Sequence, residues 1–257
     1  MTLISTRFAA EAKARKAYMA IDTIEAYDAF IRTKDFDSHI RFNDFADKFE
    51  YSVNEQLAVH MLESHSIHFD TLDEHAGGHR NASFGARFAI KAAHEGWVEA
   101  LHALKARGVD LRGHATWDWP SYKTVDGPAQ AAARAGKMDA LRHLVESEGA
   151  FSLPNPFVSA EEPAWRASFP LLNSISETRS DDVAHYLIDR FKCDPAEIWN
   201  DPYRLSADKL KIAHACGLDV AGLDLRKLKG RDSVIEFVES VRITQAEARP
   251  RRSAMRA

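Results

Sequence analysis

Cysteine is nearly absent from this sequence: Cys193 and Cys216 are the only two in 257 residues. Two such residues, far apart and without CxxC spacing, make neither a disulfide framework nor a cysteine-based metal motif. They fit a reducing compartment and read as small buried apolar residues. Long apolar runs are also missing. Nothing approaches the ~18 consecutive residues a membrane-crossing helix needs, and no charged segment leads into an apolar core with a small-residue cleavage site. These two absences predict a cytoplasmic protein with no membrane partner. A charge excess is missing as well, since the formal net charge is −4. No global field therefore argues for nucleic acid. Finally, there is no GxSxG, HExxH, P-loop, GxGxxG or kinase set. No motif argues for catalysis or a cofactor, and the chain is expected not to be an enzyme.

What is present is a unit written twice between Gly85 and Phe151. ARFAIKAAHEGWVEALHALKARGVDL is followed by GPAQAAARAGKMDALRHLVESEGAF. Ala92-Ala93 falls on Ala132-Ala133, Gly96 on Gly136, Ala100-Leu101 on Ala140-Leu141 and Leu104 on Leu144. Both copies end on a glycine and a small apolar residue, Gly108-Val109 and Gly149-Ala150. An Ala-rich helix, a glycine turn and a second helix with spaced apolar residues form one helical hairpin. The unit resembles the ankyrin repeat. In that family the small pair packs the first helix tightly, the glycine turns the chain, and Leu101, Leu104, Leu141 and Leu144 match core positions of the second helix. The usual TPLH opening is degraded to Phe88-Ala89-Ile90 and Pro128-Ala129-Gln130. The resemblance implies an all-α, ankyrin-like helical-hairpin solenoid that binds another protein.

Around these copies the chain divides into an N-terminal helical segment (1–42), a divergent repeat array with a capping helix (43–245) and a basic tail (246–257). A helix is expected over 5–20, with Ile4, Phe8, Ala12 and Met19 near one side, then a second opened by Asp22 with Glu25. Phe42, Phe45 and Phe49 share helical spacing and read as core. Ser52 and Glu55 form a capping-box pair for a helix whose Leu57-Ala58 and Met61-Leu62 align with the repeat's second helix. FPLLNSISETRSDDVAHYLIDRFKCDP aligns similarly, with Ser174-Ile175 as the small pair, Thr178 at the turn glycine, and Val183, Tyr186 and Leu187 as core. Taking Ala58, Leu101, Leu141 and Val183 as equivalent, each interval is longer than the ~33 residues of an ankyrin repeat, so the excess belongs in connecting loops. The stretch from Ala207 to Val220 resembles the end of another copy, either truncated or in a different register. Asp232 opens a last helix with Val234, Ile235, Val238 and Val241 apolar and Glu236 and Glu239 exposed, as a stack's end requires.

Three places carry functional expectations. His114–Lys123 holds Trp117, Trp119 and Tyr122, and the Trp-Asp-Trp alternation puts both indoles on one side of an extended strand. These residues and Lys123 are either anchors for a partner or a cover over the first helices. Beside them Lys91, His94, Glu95 and Arg134 are expected on the concave face, where such arrays commonly bind. His60, His65, His68, His75 and His79 fall within twenty residues. They read better as a loop after a helix than as a zinc site, which remains the metal-binding or enzymatic alternative. His102 and His143 are expected to face solvent. The ending RPRRSAMRA resembles positively charged C-terminal secretion signals, which would make the protein an exported effector without a cleaved signal.

Overall fold

The computed structural model describes residues 2–33, 42–51, 53–64, 83–112, 115–119, 122–151 and 169–248, with the backbone path alone at 2–7, 42–43, 115–119, 122–126, 169–170 and 248. Nearly all of this is helical, and the one sheet among the described residues is a two-stranded ribbon. The chain forms two compact units, residues 1–157 and 158–257.

The first unit contains helices α1 (Thr2–Met19), α2 (Ile24–Ile31), α3 (Phe42–Tyr51), α4 (Glu55–Ser64), α5 (Phe84–Glu95), α6 (Val98–Ala106), α7 (Pro128–Ala135) and α8 (Met138–Arg142). Packing follows alternate members: α1 on α3, α3 on α5, α5 on α7, and separately α2 on α4 and α4 on α6. The most extensive of these contacts joins α5 to α7. Its physical cause is side-chain size, because Ala92, Ala93, Ala132 and Ala133 have no exposed surface and small residues let helix axes approach. Leu101, Leu104, Leu141 and Leu144 are buried beneath them, as the alignment predicts.

Both copies turn in the same way. Gly96 has φ +84° and Gly136 φ +71°, a left-handed conformation that costs a β-carbon dearly. The Trp97 N–H donates to Ala92 O at 2.8 Å and the Lys137 N–H to Ala132 O at 2.9 Å. The copies differ at their ends. Ser83 opens α5, its Oγ accepting from Ala86 N at 3.2 Å. Phe88-Ala89-Ile90 therefore lies inside a helix rather than at its opening, and Phe88 stacks 4.4 Å from the Phe49 ring. Pro128 does open α7, and Gln130 Oε1 accepts from the Gly127 N–H at 2.7 Å. At the other end α8 continues as a π turn, His143–Ser147. Val109 N–H closes on Leu104 O at 3.1 Å, whereas Ala150 N–H closes on Leu144 O at 2.9 Å. The second copy has one more residue before its closing glycine, and the wider turn absorbs it.

The N-terminal helices depart most from expectation. Ala14 and Tyr18 form the buried side of α1, while Phe8 and Ala12 are exposed. Thr23, not Asp22, caps α2 by accepting from Ala26 N at 3.2 Å. Phe45 and Phe49 are core, as expected. Lys48 beside them is also buried and donates to Ile21 O at 2.6 Å, covering carbonyls left open after α1. Burial lowers its pKa to about 8. Asn54 Oδ1 caps α4 at Leu57 N, 2.9 Å. Glu55 reaches forward instead, accepting from the Glu99 N–H at the start of α6, 2.9 Å.

The second unit contains α9 (Phe169–Glu177), α10 (Asp181–Phe191), α11 (Pro195–Ile198), α12 (Ala207–Ala215) and α13 (Asp232–Ala248). Ser174, Ile175 and Thr178 are buried. Val183, Ala184 and Leu187 are buried with the spacing of Ala100, Leu101 and Leu104, so Ala184 rather than Val183 matches Leu101, and Tyr186 is only half-buried. Lys192, with φ +56°, closes α10 where glycines close the earlier copies. One-turn α11 packs on α9, and α12 packs on α10. Leu218 N–H closes on Ala213 O at 2.9 Å past Gly217, φ +102°. The stretch is thus a one-turn helix followed by a longer one, closed by the same backbone bond as the first unit's Val109 to Leu104. Val234, Val238 and Val241 of α13 complete a core with Leu210, Val220, Leu223 and Leu228. Glu236 and Glu239 are exposed, and α13 continues to Ala248, past the expected start of the tail.

Candidate functional site

Between the two clear copies the chain forms an antiparallel ribbon, β1 (Ala115–Trp119) and β2 (Tyr122–Asp126). Trp119 pairs with Tyr122, Asp118 with Lys123 and Trp117 with Thr124. Two-residue periodicity gives Trp117, Trp119 and Tyr122 the same pleat parity, and puts Asp118 and Lys123 on the other. The sequence predicts an extended strand at the Trp-Asp-Trp alternation. Its return along Tyr122–Asp126, which makes a ribbon, was not expected.

Lys91, His94 and Glu95 are brought together on the last turns of α5. Lys91 Nζ donates to Glu95 Oε1 at 2.8 Å, and His94 Nδ1 lies 3.3 Å from the same oxygen. The hydrogen bond from Lys91 is the main reason the Glu95 carboxyl sits below its ordinary value. Trp97, which the sequence reading passed over, belongs to this group. The Lys91 ammonium stands 5.7 Å from the centre of the Trp97 ring, and that ring meets Phe49 edge-on at 6.3 Å. An aromatic directly after a turn glycine, where the second copy has Lys137, was the available signal. Lys91 and Glu95 are about one-quarter and one-third exposed, and His94 is well exposed. The group thus offers an imidazole and a partly covered ion pair to solvent. Arg134 occupies the position equivalent to His94 on α7 and is half-buried.

Of the clustered histidines, His60 is a packing residue. Its Nε2 lies 2.6 Å from Asp28 Oδ1, and its ring meets Tyr27 edge-on at 6.0 Å, tying α4 to α2. His65, His68, His75 and His79 lie outside the described residues, as does the basic ending from Arg249. No group of three or more His, Cys, Asp or Glu is arranged to hold a metal ion among the described residues. His102 is half exposed as expected, but His143 retains only 13% of its side-chain surface. Its ring lies against His102 of α6, at the position that Ala103, also half-buried, takes in the first copy. Cys193 and Cys216 are free and half-buried, and burial pushes both thiols up, Cys216 to about 11. They are protonated near neutrality and therefore poor nucleophiles. Among the described residues no helix is long and apolar enough to cross a membrane. No family model matches the chain, and no curated protein is significantly similar to it.

Proposed function

We propose that the chain is a non-catalytic, ankyrin-like solenoid that binds another protein through the 115–126 ribbon and the neighbouring ends of α5 and α7. Support for the architecture comes from the repeated glycine turn, the buried alanine pairs and the like-with-like order of packing within the first unit. The observation that carries the binding reading is the ribbon. It spends Trp117, Trp119 and Tyr122 on an excursion between two helix pairs whose own cores are already closed by leucine and alanine. Large rigid aromatics presented this way are common interface anchors. Lys91, His94, Glu95 and Arg134 would form its polar surround, with Lys123 on the opposite parity of the ribbon.

The test is affinity capture of the partner with the full chain, followed by measurement of Kd for Trp117→Ala and Trp119→Ala. Each should weaken binding by about 2 kcal/mol, or about thirtyfold. Unchanged affinity in both variants contradicts this surface.

A further inference from the structure

One cluster has no place in that surface. It lies where α6 meets the π turn, joining the two copies on their second-helix side. His102 of α6 and His143 of the turn meet edge-to-face with ring centres 4.5 Å apart. Lys105 of α6 holds Glu148, which follows the turn, with Nζ 2.5 and 2.6 Å from the two carboxylate oxygens. His143 Nε2 is 3.9 Å from Glu148 Oε1, beyond hydrogen-bond reach, and has no hydrogen-bond partner among the described residues. His102 Nδ1 is 3.7 Å from Glu99 Oε2 at the exposed margin. Among the described residues, the titratable groups facing His143 are thus the His102 imidazole and the Lys105 ammonium of α6, and the Glu148 carboxylate just after its own turn, already committed to the ammonium.

We propose that this seam is an acid-sensitive joint: protonation of His143 draws Glu148 away from Lys105 and loosens the tie between the two helix pairs. The geometry sets up a competition. A charged His143 would need a carboxylate, and Glu148 is the one within 4 Å. Moving it toward Nε2 takes it from Lys105, and the new imidazolium would stand beside His102 and that same ammonium. Burial, then His102, hold His143 below its ordinary value, with Lys105 adding to the effect and Glu148 opposing it. The sign follows. As pH falls through the unfolded value near ~6.5, the unfolded chain takes up a proton that the folded seam refuses. Stability is therefore lost from there down to the lower folded value. The second copy supplies the device, since the equivalent half-buried position of the first copy is Ala103, which carries no titratable group.

The experiment is a histidine NMR titration of the full chain from pH 8 to 5, with backbone amides recorded alongside. His143 should titrate with a midpoint below 6.5, and the Val109 and Ala150 amides that close the two copies should shift with that midpoint. His102→Gln should raise the midpoint by removing a neighbour that holds it down. Thermal unfolding gives a second reading: between pH 7 and 5 the melting temperature of the parent should fall further than that of His143→Gln. A His143 midpoint at or above 6.5, closing amides indifferent to it, or parallel melting profiles for parent and variant would overturn the proposal.

Discussion

The two copies share their middles and differ at both ends. Between Ala92 and Leu104, and between Ala132 and Leu144, the same positions are buried and the glycine turns close on equivalent carbonyls. Outside those limits α5 begins one turn earlier than α7, and only the second copy widens into a π turn. The middle is where helices touch, and there one added methylene is felt at once. The ends face loops, where an extra turn or residue can be absorbed without disturbing the next contact. Divergence is tolerated where the chain is not wedged between neighbours.

That contrast can be broken at its strongest point first. Leu104→Ala and Leu144→Ala should each cost about 2–5 kcal/mol in denaturant unfolding, because both side chains are fully buried. Values differing by more than about 2 kcal/mol would show that the two cores are not equivalent. Overpacking comes next. Ala92→Leu and Ala132→Leu force a larger group between α5 and α7 and should cost about 1–3 kcal/mol each. A melting temperature equal to the parent's would remove the close-approach argument.

The turn is expected to be less sensitive. At Gly96 an alanine would adopt φ +84° and bring its Cβ to 3.1 Å from Lys137 Cδ. Because that contact is with a flexible side chain, the backbone strain of about 1–2 kcal/mol should dominate. Gly136→Ala should cost a similar amount, and a neutral result at either site would deny the left-handed turn its role. The smallest effect belongs to the ends. Deleting the exposed Ser147 should let the π turn close like the first copy, at a change within about 1 kcal/mol. Collapse of the fold on that deletion would mean the wider turn is required rather than tolerated.

The repeat's interior was legible in the sequence because its rules are local. Small pairs, a turn glycine and leucines three apart predict Ala92-Ala93, Gly96 and Leu101-Leu104 without knowledge of their surroundings. The α13 stripe of Val234, Val238 and Val241 was legible for the same reason. What escaped depends on partners distant in sequence. Lys48 looks like a surface residue of an amphipathic helix, yet the carbonyls of Met19 and Ile21 hold it inside. Glu55 fits a capping box for its own helix, but the open N–H it meets is that of Glu99. Asp22 and Thr23 are both competent caps, and chain geometry alone chose the second. His143 was expected in solvent from its place on the second helix, and the ring it packs against, His102 of α6, is a neighbour distant in sequence. At the candidate site, Trp117 and Trp119 stood out as aromatics in a polar stretch. The ribbon pairing that sets Trp119 opposite Tyr122 depends on a register that periodicity does not specify.

The central claim is that the aromatic ribbon serves a partner and not the fold. Thermal melting of the full chain carrying Trp117→Ala together with Trp119→Ala tests it most directly, before any partner is in hand. If the indoles are reserved for binding, the melting temperature stays within about 2 °C of the parent, because the buried alanines and leucines of α5–α8 are untouched. A loss of about 3–5 kcal/mol per tryptophan, the cost of emptying a core site, would mean they cover the helices, and the binding surface proposed for 115–126 would be contradicted.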